Sequence, residues 1–491
     1  MAKVVKIYRG TSRIRVKIDF KTDVQTILRE YVTRPKLTSY IWNPRFKRDD
    51  VNRRYFRFDV STSELIMPVN ALNMVVEALE ANGYEVNVED EELVKPRKIF
   101  IRMKKEFVPR ENQKPIIEYI ASHDIARKGV AAATGFGKTV VSTAGAVAYG
   151  YATIIVVSGL LDQWRDSILQ FTTADSSDIY LIQGINSIKK LSTTMRKPSF
   201  FIISIETLRA WLDYGDPYKA VEAISYPLFL NKFGIGTKIN DESHLQFHQN
   251  VIIDTYTNIE HLVYMTATFA VSDQSTKPIF NLVYPPEMRY GEDTAEAYVD
   301  VVDVHYIGRV PERKVSRQRG YSHLEYERYL LKRPTLLSQH FGFLERLIFT
   351  YYLNIRNPGE RMMIYFSMKE TIHAFLDYLK RDLPRETMHE YVSGSPDSVL
   401  RKYNIIATTT QRAGVGTDVK QLRTVINTIS MKSEPLVRQL RGRLRKLPNG
   451  VTPLFIEITD ETINAQRIHS FVRRRFHRKQ ARSYTVINLQ Y

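Results

Sequence analysis

The sequence predicts an α/β protein that has two successive parallel-sheet domains and a small α/β domain in front of them. From about residue 106 to 295, short apolar runs rich in β-branched and aromatic residues alternate with helical segments. The same alternation starts again and continues from about 296 to 465. We therefore expect an accessory domain over 1–95, two doubly wound domains over 106–295 and 296–465, and a basic tail over 466–491. Contact of this tail with a phosphate backbone and a frayed, solvated end are equally open alternatives.

The composition indicates a globular protein of about three domains whose partner is a polyanion. The 491 residues leave room for about three domains of ordinary size. Lys and Arg number 71 against 53 Asp and Glu, and this net charge of +18 favours polyanions, of which nucleic acid is the commonest. The absence of cysteine excludes disulfides, cysteine nucleophiles and thiolate zinc sites. No uncharged apolar run is long enough to span a membrane, so we expect a soluble, cytoplasmic protein without a membrane partner.

The accessory domain mixes basic and aromatic residues. The segment 13–20 alternates charged and apolar side chains, as a half-exposed strand does, and its polar face carries Arg13, Arg15 and Lys17. Segments 40–48, with Arg45 and Phe46, and 53–58 interleave Arg and Lys with aromatics that can stack on bases. The alternative is an exposed face with its aromatics turned into the core. An acidic run at 89–92 then predicts a solvated linker near 88–105.

A glycine-rich loop between a strand and a helix predicts a phosphate-binding site. Residues 132–139 follow a short apolar strand and lead into a helical segment. Glycines 135 and 137 let backbone N–H groups approach phosphate oxygens, Lys138 supplies a charge, and Thr139 can hold Mg²⁺. The alternative is a plain turn that enters a helix. The candidate ligands of this loop are Thr134, Gly135, Phe136, Gly137, Lys138 and Thr139.

Residues that can act together with a phosphate-binding loop follow it in the sequence. Asp241 and Glu242 come directly after a predicted strand, where Asp241 can hold Mg²⁺ and Glu242 can orient and deprotonate a water. His244 and the hydroxyls of Thr266 and Thr268 are placed to link this site to a bound partner, although a simple turn would also explain the threonines. Upstream, a planar glutamine amide can bind an adenine edge; the candidates there are Arg110 and Gln113.

The second doubly wound domain has no phosphate-binding loop, but it contains arginine and lysine side chains that can contact a nucleotide. Ser433 predicts the start of a helix in which Leu436, Leu440 and Leu444 form the buried stripe. Gln439 and Arg443 lie four residues apart and would share another face, from which an arginine can neutralise charge on a transferred phosphoryl group. Further candidate nucleotide contacts in this domain are Gly416, Asp418, Arg445 and Lys446.

The ordered set from Gln113 to Arg443 resembles the superfamily 2 helicases of the DExH kind, and among them the bacteriophage branch-migration helicases. The resemblance implies tandem RecA-like domains, ATP and Mg²⁺ as cofactors, and Thr139 and Asp241 as the residues that hold the metal. The family places a second arginine three residues after the first, but Lys446 stands there and Arg445 is one place early. The resemblance also implies catalytic roles for Lys138, Asp241, Glu242, Gln439 and Arg443. It implies nucleic-acid contacts at Arg45, Phe46, Ser158, Gln163, Ser204, Thr207, Ser367, Thr408 and Thr409.

By this resemblance the chain is an ATP-dependent DNA helicase or translocase that acts on forks, Holliday junctions and R-loops in replication, recombination and repair. DNA would be the main partner, with RNA in RNA:DNA hybrids as a further one. An RNA helicase would share every ATP motif and stays an alternative, as does a DNA-binding scaffold with a relic nucleotide site. The oligomeric state is left open, with a monomer favoured, and a phage protein would reside in the host cytoplasm.

Overall fold

The computed structural model describes residues 3–19, 22–43, 48–132, 136–159, 161–214, 223–267, 269, 275–291, 297–317, 320–396, 398–410, 419–447 and 450–489. The chain forms two compact units. The first comprises Met1–Ala132 and Phe136–Asp293, and the second contains Thr294–Tyr491. Within these described stretches, no helix is both long and apolar enough to cross a membrane.

The first unit opens with a mixed five-stranded sheet. Its strands are β1 (Lys3–Arg9), β2 (Arg13–Lys17), β5 (Arg57–Asp59), β6 (Glu64–Pro68) and β7 (Tyr84–Asp90), in the spatial order β5-β6-β2-β1-β7. A separate hairpin consists of β3 (Thr38–Asn43) and β4 (Arg48–Arg54), and the helices are α1 (Val24–Leu28), α2 (Arg34–Lys36) and α3 (Leu72–Glu80). The alternation in 13–20 thus predicted β2 correctly, because Ile14 and Val16 are fully buried while their neighbours are not.

The acidic run is only in part the solvated linker that the sequence predicts near 88–105, since β7 extends to Asp90 while residues 91–105 lie outside the helices and strands. Glu89 and Asp90 lie on β7, which pairs in parallel with β1. Glu91 accepts hydrogen bonds from Arg13 Nη2 at 2.6 Å, and its Oε1 is 3.2 Å from Arg15 Nε. Glu91 therefore neutralises two of the three basic residues of β2, and Arg13 and Arg15 are not displayed for phosphate contacts, whereas Lys17 is exposed.

A seven-stranded, all-parallel sheet forms the centre of the first unit. Its strands are β8 (Arg127–Ala131), β9 (Ala152–Val157), β10 (Ile179–Ile182), β11 (Phe200–Ser204), β12 (Ile235–Asn240), β13 (His261–Thr266) and β14 (Arg289–Tyr290), in the order β10-β11-β9-β12-β13-β8-β14. The helices are α4 (Lys114–Ala121), α5 (Lys138–Tyr149), α6 (Leu161–Phe171), α7 (Gly184–Thr193), α8 (Ile205–Tyr214), α9 (Tyr226–Phe233), α10 (Phe247–Asp254) and α11 (Lys277–Val283). Because the strands are parallel, the residues that follow β8, β12 and β13 meet at one edge of the sheet.

The N-terminal mixed-sheet region packs against α10, one of the helices that accompany the parallel sheet. The Ser12 hydroxyl donates to the carbonyl oxygens of Asp254 and Thr257, at 2.8 and 2.6 Å. The buried Tyr55 ring, after β4, lies 5.4 Å from the Phe247 ring at the start of α10. The mixed sheet and the parallel sheet therefore pack together within the first compact unit.

The second unit contains another seven-stranded, all-parallel sheet. Its strands are β15 (Asp300–Tyr306), β18 (Arg361–Phe366), β19 (Met388–Tyr391), β20 (Ile405–Thr409), β21 (Leu422–Asn427), β22 (Leu454–Asp460) and β23 (Ser483–Leu489), in the order β19-β20-β18-β21-β22-β15-β23. A small hairpin consists of β16 (Ser316–Arg317) and β17 (Gly320–Tyr321). The helices are α12 (Glu312–Val315), α13 (His323–Leu331), α14 (Pro334–Ile348), α15 (Lys369–Asp382), α16 (Val399–Lys402), α17 (Glu434–Arg441) and α18 (Asn464–Gln480).

The last segment is part of this sheet rather than the basic tail that the sequence predicts. Strand β23 pairs in parallel with β15, and α18 precedes it. The guanidinium of Arg473, on α18, donates to Glu457 Oε2 at 2.8 Å, and His477 Nε2 lies 2.9 Å from the same oxygen. All three side chains are buried, so this ion cluster fixes the helix against β22.

Candidate nucleotide-binding site

The helix that follows the glycine-rich loop begins as the sequence predicts. Gly137 adopts a left-handed backbone with φ of +94°, and α5 starts at the next residue. A side chain on Gly137 would be strained in that conformation, and its Cβ would lie 2.7 Å from Gln113 Nε2. Lys138 and Thr139 are thereby held in the first turn of a twelve-residue helix, whose N–H groups and dipole attract anions.

Lys138 contacts the carboxylate of Glu242 in the turn after β12. Both side chains are largely shielded from solvent. Glu242 itself has a left-handed backbone, with φ of +50°, which is uncommon for a residue with a side chain. The Ser243 N–H donates to the Met265 carbonyl oxygen at 3.0 Å and so ties this turn to β13. The strained turn thus places a carboxylate against the lysine of the glycine-rich loop.

Asp241 is held in a second, distinct environment beside Glu242. The Trp164 indole N–H donates to Asp241 Oδ2 at 3.1 Å, from α6. Loss of hydration, reinforced by the Glu242 carboxylate, raises the pKa of Asp241 to about 6. A nearby cation such as Lys138, or a bound divalent metal, favours the charged form instead. Trp164 was not predicted from the sequence, where one tryptophan in a helix carries no signal for an active-site contact.

His244 connects the acidic turn to the end of β13. Its Nδ1 lies 2.7 Å from Thr266 Oγ1 and 3.6 Å from Glu242 Oε2. Both His244 and Thr266 are buried, and the Thr266 carbonyl oxygen accepts a hydrogen bond from Ala132 N at 2.9 Å. A chain of contacts therefore runs from the acidic turn through β13 to the start of the glycine-rich loop.

A cavity of about 410 Å³ lies beside Gly137 and Gln113. The Gln113 amide donates to the Phe136 carbonyl oxygen at 2.7 Å, and its oxygen accepts from Arg110 N at 3.0 Å. Phe107 and Phe171, whose ring centroids are 5.9 Å apart, line the same cavity. The cavity thus combines aromatic walls with an oriented amide, a combination that suits a planar heterocycle.

The predicted nucleic-acid residues of the first unit have different surroundings. The Ser204 hydroxyl accepts from Thr207 N at 3.1 Å, as a cap on α8, so these two residues have a structural contact of their own. Gln163 is exposed on α6. The Ser158 hydroxyl is buried just after β9 and has no hydrogen-bond partner among the residues that the structure describes.

In the second unit, the turn after β18 is occupied by a carboxylate that the sequence did not indicate. Glu327, on α13, accepts hydrogen bonds from Ser367 N at 2.6 Å, Met368 N at 2.9 Å and the Thr371 hydroxyl at 2.7 Å. Burial raises the pKa of Glu327 to about 7. The backbone of Ser367 thus already binds an internal anion.

The other two candidates of the second unit lie at the end of β20. Thr408 is fully buried, and its hydroxyl donates to the Tyr391 carbonyl oxygen on the neighbouring strand. Thr409, the last residue of β20, is half-buried. Of these two, Thr409 is the better placed for contact with a ligand, because the Thr408 side chain faces the core.

Residues 439–446 depart from the predicted single helix. Helix α17 ends at Arg441, and the next turn is tighter, with Arg443 N donating to Leu440 O at 3.2 Å. Gln439 and Arg443 therefore do not share one helical face, although both are buried. The Arg445 guanidinium folds back onto the Gly442 carbonyl oxygen, and Lys446 is exposed. The buried apolar stripe comprises Val437, Leu440 and Leu444, while Leu436 is only half-buried.

Seven predicted site residues lie outside the described part of the chain. They are Arg45, Phe46, Thr134, Gly135, Thr268, Gly416 and Asp418.

Comparisons with known proteins agree with this architecture. Residues 106–271, about a third of the chain, match the family described as the res subunit of type III restriction enzymes. The structure is similar to Saccharomyces cerevisiae Dbp5 bound to RNA and ADP–BeF₃, with 12% identity, a TM-score of 0.50, and coverage of 78% of this chain and 91% of that one. A match to T4 UvsW has 15% identity, covers 99% of both chains and has a TM-score of 0.36. No curated protein matches the chain in sequence.

The likeness to Dbp5 concerns the fold, and the family match concerns the sequence of the first unit. The fold likeness agrees with two successive seven-stranded parallel sheets, and the family match agrees with the first of them, which precedes the helix α5 that begins at Lys138. With its tandem RecA-like domains and small N-terminal mixed-sheet domain, this chain resembles the superfamily 2 helicases.

Proposed function

We propose that this protein is a nucleic-acid-stimulated ATPase that works as a helicase or translocase on branched DNA. One observation carries the proposal above all others. Lys138, in the first turn of α5, contacts Glu242, and Asp241 lies beside Glu242 at the edge of the same parallel sheet. A cation, a helix N-terminus and two carboxylates in different environments are the groups that phosphoryl transfer to water requires.

The residues of the loop bind and orient the triphosphate. Lys138 exchanges its contact with Glu242 for one with the phosphates, and this exchange frees the Glu242 carboxylate to accept a proton from the attacking water. The cavity lined by Gln113 and Phe107 receives the adenine, and the Gln113 amide, held by Phe136 and Arg110, uses its remaining donor and acceptor capacity for the polar edge of the base. The nucleotide is thus bound at two ends, and only the phosphate end changes during turnover.

Thr139 and Asp241 are the residues that would hold Mg²⁺. Their hydroxyl and carboxylate oxygens are the donor type that this ion prefers, and Mg²⁺ is commonly bound by one or two protein groups together with phosphates and water. This arrangement agrees with the finding that no group of three or more acidic, His or Cys side chains suited to a metal occurs among the described residues. The bound ion would neutralise developing charge on the phosphates.

The second unit supplies the remaining groups in this proposal. Arg443 neutralises charge on the transferred phosphoryl group, and Gln439 supports it; Arg445 and Lys446 are the candidates for a second cation. Gly416 and Asp418 are proposed to contact the nucleotide as well. Hydrolysis is coupled to bound nucleic acid through His244, Thr266 and Thr268, and the contact between His244 and Thr266 supports this role.

Branched DNA is the proposed substrate, on the strength of the resemblance to branch-migration helicases and of the net charge of +18. Nucleic-acid contacts are proposed at Arg45, Phe46, Ser158, Gln163, Ser204, Thr207, Ser367 and Thr409. A contact at Thr408 is proposed as well, with the least support of the set, because its hydroxyl donates to the Tyr391 carbonyl oxygen inside the sheet.

The test is the rate of ATP turnover with single-stranded DNA, duplex, forks, four-way junctions, RNA:DNA hybrids and RNA at one salt concentration. We expect branched DNA to give the largest stimulation. Stimulation by RNA alone would establish the RNA-helicase alternative. An absence of hydrolysis with every polynucleotide would favour a DNA-binding scaffold with a relic nucleotide site.

A further inference from the structure

Helix α18 carries an unusual distribution of side chains. Its buried face is largely polar and contains Gln466, Ser470, Arg473 and His477. Its outer face carries apolar side chains, among them Phe471, which is 75% exposed, and Ile468, which is 51% exposed. The helix is therefore not an ordinary amphipathic helix whose charges simply face water.

Four arginines and one phenylalanine form a continuous stripe on that outer face. At about 100° per residue, the five positions fall within a sector roughly 100° wide and extend over roughly 16 Å of helix. All five side chains are exposed. We call them the α18 stripe, and they are Arg467, Phe471, Arg474, Arg475 and Arg478.

The α18 stripe is uniformly positive. From Asn464 to Tyr491 the sequence contains neither Asp nor Glu. The four arginines of the stripe form no ion pair with an acidic side chain within the part of the chain that the structure describes, whereas Arg473 and Arg482 nearby do. A surface that served solubility alone would mix both signs of charge. The retained cations indicate a polyanionic partner.

The helix is also held rigidly enough to present the stripe. Arg473 and His477 anchor its inner face to Glu457, and the Ser470 hydroxyl donates to Asp303 Oδ2 at 2.6 Å. These contacts join α18 to β22 and β15, two neighbouring strands of the second sheet. The backbone positions of the four arginines are therefore fixed before any partner binds, which reduces the backbone entropy lost on binding.

We propose that the α18 stripe binds the phosphate backbone of duplex DNA, as a surface separate from the residues already assigned to nucleic acid. Charge complementarity favours a phosphodiester backbone, for which arginine is well suited. Single-strand sites rely on several aromatic platforms, whereas this stripe has one aromatic residue among four cations, so the duplex is the better fit. The proposal rests on the proposed function in taking DNA as the partner.

The test uses the double variant Arg474→Gln/Arg478→Gln in the full-length chain. Duplex binding is measured by fluorescence anisotropy on a 30-base-pair probe at several salt concentrations, without nucleotide. Loss of two phosphate contacts should make the slope of log Kd against log salt shallower by about 2 and should weaken binding about tenfold at low salt. Arg474→Lys/Arg478→Lys should keep most of the slope.

The matched control is Lys380→Gln/Arg381→Gln on α15, which removes the same charge from a helix end that also carries acidic side chains. It should leave the slope unchanged, and the melting temperatures of all variants should agree. An unchanged slope in Arg474→Gln/Arg478→Gln would overturn the proposal. If that variant instead lost binding to an acidic protein while duplex affinity held, the stripe would be a protein interface, which also overturns it.

ATP turnover separates this inference from the proposed function. If duplex or branched DNA stimulates the wild-type protein and the double variant binds DNA like wild type, the α18 proposal fails and the helicase proposal stands. If the slope changes as expected but no polynucleotide stimulates turnover, the stripe stands and the helicase proposal fails.

Discussion

Replacement of Lys138 by alanine tests the nucleotide site at the group with the clearest electrostatic role. In the structure the Lys138 and Glu242 side chains are only 10% and 15% exposed, so an effective dielectric constant near 20 is more appropriate than that of water. At that value a unit charge about 4 Å from another contributes about 4 kcal/mol. Since about 1.4 kcal/mol corresponds to tenfold in rate, Lys138→Ala should lower DNA-stimulated kcat by about 10³.

The assay is phosphate release with saturating ATP and a forked DNA. Lys190→Ala, which removes an exposed lysine from α7 of the same unit, is the control and should retain full turnover. DNA affinity without nucleotide should be the same in both variants. Turnover of Lys138→Ala within threefold of wild type would refute the assignment of Lys138 to the phosphates.

Three further predictions concern other groups. Glu242→Gln should keep ATP affinity, measured by calorimetry, but lower turnover by about 10²–10⁴, as loss of a general base does; a matching loss of affinity would argue against that role. Arg443→Gln should lower kcat by roughly 10³ with little change in KM. The control Arg385→Gln, at an exposed position, should leave both constants unchanged, and equal effects of the two variants would contradict the assignment of Arg443. His305 Nε2 lies 3.1 Å from Asp303 Oδ2. Burial alone would lower the pKa of His305 and raise the pKa of Asp303, but the contact between them outweighs burial, so the pKa of His305 is raised and the pKa of Asp303 is lowered. The contact should therefore stabilise the fold fully between about pH 4 and about pH 6.5. This stabilisation is lost at higher pH, as His305 loses its proton above its raised folded-state pKa, and at lower pH, as Asp303 gains a proton below the usual Asp range. The urea midpoint of His305→Gln should thus fall further below wild type at pH 5.5 than at pH 8.5, and an equal deficit at both would rule the linkage out.

The sequence predicted the parts of the fold that follow from local pattern. Buried parallel strands produce continuous apolar runs, so β9, β11, β13 and β18 were recognisable without any knowledge of their neighbours. The glycine-rich loop predicted a helix after it, and the structure has α5 starting at Lys138, with Gly137 in a left-handed conformation. The sequence also placed Asp241 and Glu242 at the end of a strand, and the structure adds the contact between Glu242 and Lys138 at that edge of the sheet.

Contacts between residues that are distant in the sequence could not be predicted from the local sequence pattern. The neutralisation of Arg13 by Glu91 depends on the parallel pairing of β1 with β7, and nothing in either segment specifies that pairing. Glu327 likewise sits in a helix far from Ser367 in the chain, and its sequence context is that of an ordinary surface acid.

Helix α18 was missed for a different physical reason. Apolar periodicity identifies a helix only when its buried face is apolar, and here the buried positions are occupied by Gln466, Ser470, Arg473 and His477. A buried ion cluster with Glu457 takes the place of an apolar stripe. The end of α17 at Arg441 was also unpredictable from Pro448, which lies several residues beyond it.

The central claim is that ATP hydrolysis drives remodelling of branched DNA, and strand exchange in a synthetic four-way junction tests it most directly. One labelled strand is followed by gel electrophoresis as the junction is converted into duplex arms. We predict conversion with ATP and Mg²⁺ by the wild-type protein, and none without ATP or with Lys138→Ala. A junction that stays intact while the wild-type protein hydrolyses ATP, or one that Lys138→Ala converts at the wild-type rate, would contradict the account.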